Sequence, residues 1–109
     1  MDQKKMQEML AEAQSYQQQM QVMASQKEAL NQQLVEMGKA LEELSRESKE
    51  EVYKITGPVL IKVDRAKAKK DIESKKELVM LRLKSIDKSE ISLKEKLEDI
   101  KENLTKAGG

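Results

Sequence analysis

Apolar residues spaced three and four positions apart form a long row in the first half of the chain. This row predicts a helix over about residues 4–49, and only Lys27 interrupts it with a charge. A heptad row of this length is typical of a coiled-coil seam and unlike an isolated surface helix. The row consists of Met6, Met9, Ala13, Tyr16, Met20, Met23, Lys27, Leu30, Leu34, Met37, Leu41 and Leu44.

A second row with the same spacing predicts another helix over about residues 65–106. Asp64 stands directly before this segment and is a suitable N-cap residue. The row consists of Ile72, Lys76, Val79, Leu83, Ile86, Glu90, Leu93, Leu97, Ile100, Leu104 and Ala107. The two helices are of similar length, so each seam can bury itself against the other. In that arrangement Lys27 and Glu90 could lie near each other.

The segment between the helices, about residues 51–63, has β-branched residues and a central Gly57-Pro58. This pattern is typical of a β-hairpin, in which Gly57 takes the positive φ of a type II′ turn. A two-residue loop pairs Ile55 with Leu60 and leaves both faces partly apolar. A three-residue loop gathers four apolar side chains on one face: Tyr53, Ile55, Ile61 and Val63. With either loop the hairpin has more apolar surface than it can bury alone, so it needs strands from other chains.

The three segments together predict a mainly α fold. We expect a long antiparallel two-helix coiled coil joined by one β-hairpin, forming a single domain over residues 1–109. The hairpin lies at one end of this arrangement and the chain termini lie at the other.

The composition excludes several classes of protein. The chain has no Cys and no His, which removes disulfides, thiol nucleophiles, imidazole bases and metal sites built from these residues. Its net charge is only +1, unlike that of a dedicated nucleic-acid binder. The four scattered glycines form no phosphate-binding loop. We therefore expect no enzyme, metal site or cofactor. Because neither a membrane span nor an apolar leader is evident, we expect a cytoplasmic location and no membrane contact.

Methionine is concentrated in the first helix, which holds five of the seven. Flexible, polarizable Met side chains recur on surfaces that bind many unlike partners. Filling of the seam is the preferred interpretation for Met20, Met23 and Met37. For Met6 and Met9, near the chain termini, seam filling and partner binding are equally good interpretations. The candidate binding residues at this end are Met6, Met9, Leu10, Ala13, Ile100 and Leu104.

The hairpin residues also resemble a known family. The sequence from Glu51 to Val63, with its Tyr-Lys pair, the glycine before the turn and the Leu-Ile-Lys-Val strand, is similar to the hairpin of beta-class prefoldin subunits of archaeal type. The run Ala40–Leu44 resembles the family's segment before the hairpin, and Lys75–Ile86 resembles the start of its second helix. The similarity spans essentially the whole chain, but only about fifteen residues around the hairpin are specific.

The resemblance implies an assembly and an activity. It implies a hexamer of alpha-class and beta-class subunits, including other copies of this chain, in which the hairpins combine into a β-barrel platform. It also implies a molecular chaperone that works without ATP, binds non-native proteins (clients) at the coiled-coil tips and hands them to a group II chaperonin. The candidate assembly residues are Val52, Tyr53, Ile55, Val59, Leu60, Ile61 and Val63.

Two other functions are compatible with parts of the sequence. A structural or adaptor protein that oligomerises through its helices would explain both seams but not the hairpin. Nucleic-acid binding would use the basic stretch Lys62–Lys76, but the stretch lacks interleaved aromatic residues, and a solvated helix face explains it better. We therefore expect no nucleic-acid partner.

Overall fold

The computed structural model describes residues 2–108 and has four elements in the order helix, strand, strand, helix. Helix α1 spans Gln3–Arg46, strand β1 spans Glu51–Thr56, strand β2 spans Val59–Asp64 and helix α2 spans Arg65–Gly108. The predicted mainly α fold with one hairpin between two long helices is confirmed. The observed helices differ from the predicted ranges by only a few residues.

The two rows of apolar residues are the parts of the helices that lose solvent contact. Every position of the first row is at least partly buried, including Lys27. In the second row only Ala107 is exposed. The most deeply buried side chains all belong to these rows: Leu30, Val79, Leu93 and Ile100. The burial therefore follows the seams that the heptad spacing predicted.

The residues divide into two compact units, which we treat separately. The helix-pair unit consists of Met1–Glu28 and Leu83–Gly109, and the hairpin unit consists of Ala29–Arg82. In the helix-pair unit, Tyr16 lies beneath the Lys96 ammonium, whose Nζ is 5.6 Å from the ring centroid, a cation–π contact. Lys27 contacts Asp87 and Glu90 in the same unit. A residue further along α1 thus meets residues earlier in α2, so the helices are antiparallel there.

The start of α1 is capped by its own sequence. The backbone N–H of Lys5 donates a hydrogen bond to Asp2 Oδ1 at 2.7 Å. This places Asp2 at the N-cap, where its carboxylate satisfies one of the helix donors that have no partner within the helix.

Arg65 links the end of α1 to the start of α2 in the hairpin unit. Its Nη1 donates a hydrogen bond to the Leu44 carbonyl at 3.2 Å, and its backbone N–H donates to the Glu50 carbonyl. A cation at the C-terminus of a helix satisfies an unpaired carbonyl and interacts favourably with the helix dipole. Arg65 therefore fixes the base of the hairpin against the end of α1.

The hairpin has the two-residue loop, so the three-residue alternative is wrong. Ile55 pairs with Leu60 and Val52 with Val63 in an antiparallel ladder. Gly57 has a φ of 58°, and the ring of Pro58 holds its own φ near −65°. This combination fits the predicted type II′ turn, because a type I′ turn would need a positive φ at Pro58 as well.

Each strand of this sheet pairs only with the other strand within residues 2–108. The outer edges of β1 and β2 are therefore both open. In the same part of the chain, neither helix is long and apolar enough to cross a membrane.

Candidate functional site

One face of the hairpin presents large apolar side chains to solvent. The register places Tyr53, Ile55 and Leu60 on this face, because residues opposite each other and residues two apart in a strand share a side. Ile55 is 76% exposed and Leu60 is 63% exposed. On the same face a salt bridge crosses the strands from Lys62 Nζ to Glu51 Oε2 at 3.4 Å. Ile55 and Leu60 lie nearer the turn, Tyr53 lies opposite Lys62, and Glu51 lies nearer the helices.

The opposite face of the hairpin turns partly towards the helices. Val52 and Val63 pair on this face and are half-buried, whereas Val59 and Ile61 are exposed. A groove of about 470 Å³ lies beside the two half-buried valines, within the hairpin unit. Its apolar lining residues are Ala40, Leu44, Val52, Tyr53, Val63, Ala68 and Ile72. The two valines therefore line this groove together with residues of both helices.

The structure thus divides the seven candidate assembly residues into two groups. Val52 and Val63 are half-buried within the chain. The other five are exposed and available to a second chain: Tyr53, Ile55, Val59, Leu60 and Ile61. Their part in assembly stays a prediction.

The six candidate binding residues near the chain termini all fall in the helix-pair unit. Met6, Met9, Ala13 and Leu104 are half-buried, and Leu10 is 54% exposed. Ile100 is only 7% exposed, so another protein could reach it only where the helices separate. Leu10 is the large apolar side chain of this group that a partner can reach without such separation.

A charged cluster interrupts the seam of the helix-pair unit. Lys27 Nζ lies 2.7 Å from Asp87 Oδ1 and 2.8 Å from Glu90 Oε1. The proximity of Lys27 and Glu90 was suggested by the sequence, and the structure confirms it. Asp87 was missed, although it stands three residues before Glu90 and on the adjoining helix face. A charged group at a seam position specifies the register of a coiled coil, because only one alignment supplies its partners.

The cluster changes the acid–base behaviour of Lys27. Hydrogen bonds to Asp87 and then Glu90 raise the pKa of Lys27 above its usual value of 10.5. A raised pKa in the folded state stabilises the protein at every pH below the unfolded-state value. The stabilisation is lost as the pH rises from about 10.5 through the folded-state pKa.

Lys27→Met should lower the melting temperature at pH 7, because it leaves the partly buried Glu90 carboxylate without a cation. The difference in melting temperature between the two proteins should be constant from about pH 7 to pH 9 and should shrink above about pH 10.5. Thermal unfolding followed by circular dichroism at 222 nm measures the melting temperature of each protein at each pH. Lys39→Met, at an exposed lysine elsewhere on α1, is the control and should cause little change. A difference that shrinks well below pH 9 would contradict this role for Lys27.

Several large apolar side chains of the described residues are exposed. Among residues 2–108, no three acidic side chains are grouped closely enough to hold a metal ion. The features that do stand out are the exposed hairpin face, its open edges and the apolar residues of the helix-pair unit.

Comparison with known proteins finds similarity over nearly the whole chain. A family model described as "Prefoldin subunit" matches residues 7–109. Prefoldin subunit beta of Thermococcus onnurineus is 35% identical over 103 residues, covering 94% of this chain and 89% of the relative. Prefoldin subunit beta of Thermococcus gammatolerans is 37% identical over 96 residues, covering 87% of this chain and 82% of the relative.

A solved structure is also similar. The crystal structure of the prefoldin beta subunit from Thermococcus strain KS-1 superposes with a TM-score of 0.85 at 33% identity. The match covers 94% of this chain and 91% of that chain. The similarity therefore includes both helices and the hairpin.

Proposed function

The chain belongs to the prefoldin family, as a beta-class subunit of archaeal type, and on that premise we propose that it is a subunit of an ATP-independent holdase. Prefoldin subunits are chaperones, and beta subunits assemble with other prefoldin subunits. In our proposal the chain joins alpha-class subunits and further copies of itself in a hexamer. The assembly binds non-native proteins in the cytoplasm and delivers them to a group II chaperonin.

The observation that carries this proposal is the hairpin face with Tyr53, Ile55 and Leu60 in solvent. A two-stranded sheet is marginal alone, and large apolar side chains on it favour contact with further strands. Strands from neighbouring subunits would cover both the apolar face and the open edges. The hairpin is thus suited to assembly, which the alternative adaptor function leaves unexplained.

Client binding is proposed for the end of the helix-pair unit that holds the chain termini. Leu10 is exposed there, and Met6, Met9 and Leu104 are half-buried next to the frayable helix ends. A single end offers little apolar surface, so its contact with a client is weak. Several such ends tethered in one assembly raise the effective concentration of binding sites, and avidity can then exceed single-site affinity by about 10² to 10⁴. Weak individual contacts also allow release.

The test is the aggregation of a chemically unfolded client after dilution into buffer without nucleotide. Light scattering should fall when this chain is present with an alpha-class partner, and should fall less with this chain alone. Removing residues 1–10 should weaken the suppression and leave assembly intact, since Met6, Met9 and Leu10 are lost while the hairpin is untouched.

A variant with Val22→Ser and Val35→Ser is the matched control, because both valines are exposed on α1 outside the predicted seam and outside the terminal end. It should suppress aggregation as well as the unaltered chain. Equal suppression by the truncated chain would count against client binding at this end. Full aggregation with a well-assembled complex would favour the adaptor function.

A further inference from the structure

Helix α2 has apolar residues all around its axis between Leu78 and Leu83. The run reads Leu-Val-Met-Leu-Arg-Leu, and its seam members are Val79 and Leu83. Leu78 is 61% exposed, Leu81 is 63% exposed and Met80 is also exposed. A helix that is apolar on every side is normally covered on every side.

Leu78 and Leu81 form one surface. Residues three apart are neighbours on a helix, so their side chains lie next to each other. Each residue advances the helix by about 100°, which puts Leu81 roughly opposite Val79 and thus opposite the seam. The seam cannot cover a side chain in that position. By contrast, the exposed Val22 and Val35 of α1 are isolated, as single surface apolar residues commonly are.

The surroundings of this pair are basic. Lys75 precedes Leu78 by three residues and Arg82 follows it by four, so both border the pair on the helix surface. Glu77 and Lys84 border Leu81 in the same way, which makes three cations and one carboxylate around the pair. The part of α2 in the hairpin unit, residues 65–82, carries seven basic and three acidic residues. Its basic residues are Arg65, Lys67, Lys69, Lys70, Lys75, Lys76 and Arg82.

We propose that Leu78 and Leu81, bordered by Lys75 and Arg82, form a docking site for an acidic amphipathic helix of another protein. Apolar side chains one helical turn apart on that helix contact the two leucines, and flanking carboxylates meet the two cations. This site is separate from the hairpin face and from the terminal end proposed for client binding.

A second copy of this chain fits the site less well. In a two-fold symmetric contact the same surface meets itself, so Lys75 and Arg82 of one chain would approach those of the other. Like charges brought together in an interface oppose association. The charge therefore favours a partner rich in Asp and Glu.

The test uses a fluorescein-labelled 14-residue helical peptide. Its Leu residues are spaced three and four positions apart, so that they lie on one face of the helix, and Glu residues flank that face. A second peptide has Lys in place of each Glu. Fluorescence anisotropy with the full chain at low salt should show binding of the Glu peptide at least about tenfold tighter than that of the Lys peptide. Binding of the Glu peptide should weaken as salt shortens the screening length.

Variants locate the site. Leu78→Ser with Leu81→Ser should weaken binding of the Glu peptide about tenfold or more, and Lys75→Glu with Arg82→Glu should remove the preference for it. Ile91→Ser is the control, because Ile91 is an exposed apolar residue elsewhere on α2 and should not affect binding. The chain lacking residues 1–10 should bind the peptide normally, which distinguishes this site from the terminal end.

Three results would overturn the proposal. The first is equal binding of the two peptides, or binding of neither. The second is unchanged affinity in the Leu78/Leu81 double variant, with helicity verified by circular dichroism. The third is self-association in sedimentation velocity that the double variant alone abolishes, since the surface would then be an interface between copies.

Discussion

Replacing Ile55 and Leu60 with glutamate should abolish assembly and leave the chain folded. Both side chains are largely exposed within the chain, so their loss removes few internal contacts. In an assembled platform the two carboxylates would be placed among apolar side chains, and burial of an unpaired charge is strongly unfavourable. Size-exclusion chromatography with light scattering should show a shift from the oligomer to the monomer, with the helical circular dichroism signal retained.

A variant with the same two charges elsewhere is the control for this experiment. Val22→Glu with Val35→Glu places them at exposed apolar positions of α1, outside the hairpin. This variant should assemble normally. An oligomer that survives Ile55→Glu with Leu60→Glu would mean that the helices, and not the hairpin, hold the subunits together.

Truncation of Leu93 to alanine should produce a large loss of stability from a single seam position. Leu93 is only 6% exposed and lies in the helix-pair unit. Leu→Ala at a buried site removes the transfer free energy of the side chain and leaves a cavity, which together cost about 2 to 5 kcal/mol. Urea unfolding followed at 222 nm measures the loss, at one fixed protein concentration because assembly itself shifts stability.

Ile91→Ala provides the comparison on the same helix. Ile91 stands two residues earlier, outside the seam, and is mostly exposed. Its truncation should change the free energy of unfolding by less than about 0.5 kcal/mol. Similar losses for the two variants would mean that the seam contributes no more to stability than the outer surface of the helix does.

The long-range pattern of the fold could be predicted from the sequence because it repeats. A row of apolar residues over many helical turns identifies the side of the helix that is buried. A single charged residue in the row does not change that prediction. The alignment of the helices was suggested only by the charged interruptions Lys27 and Glu90. Asp87 escaped notice because it lies beside the row, where charged residues are usual.

The register of the hairpin could not be predicted because its pattern is ambiguous. Both strands are apolar on both sides, so the alternation that normally selects one face is weak. The turn decided between the registers, and Gly57 is the residue that allows it. The partly buried state of Val52 and Val63 was not foreseen either, since it depends on how the hairpin is attached at Arg65.

In the proposed assembly, the open edges of β1 and β2 give each subunit two sites of attachment. Subunits that pair edge to edge form an open row. Such a row always has an unpaired strand edge at each end, however many subunits it contains. Adding another chain of the same design moves that edge outward but does not remove it. Such a row becomes complete only by closing on itself, as strands do in a barrel.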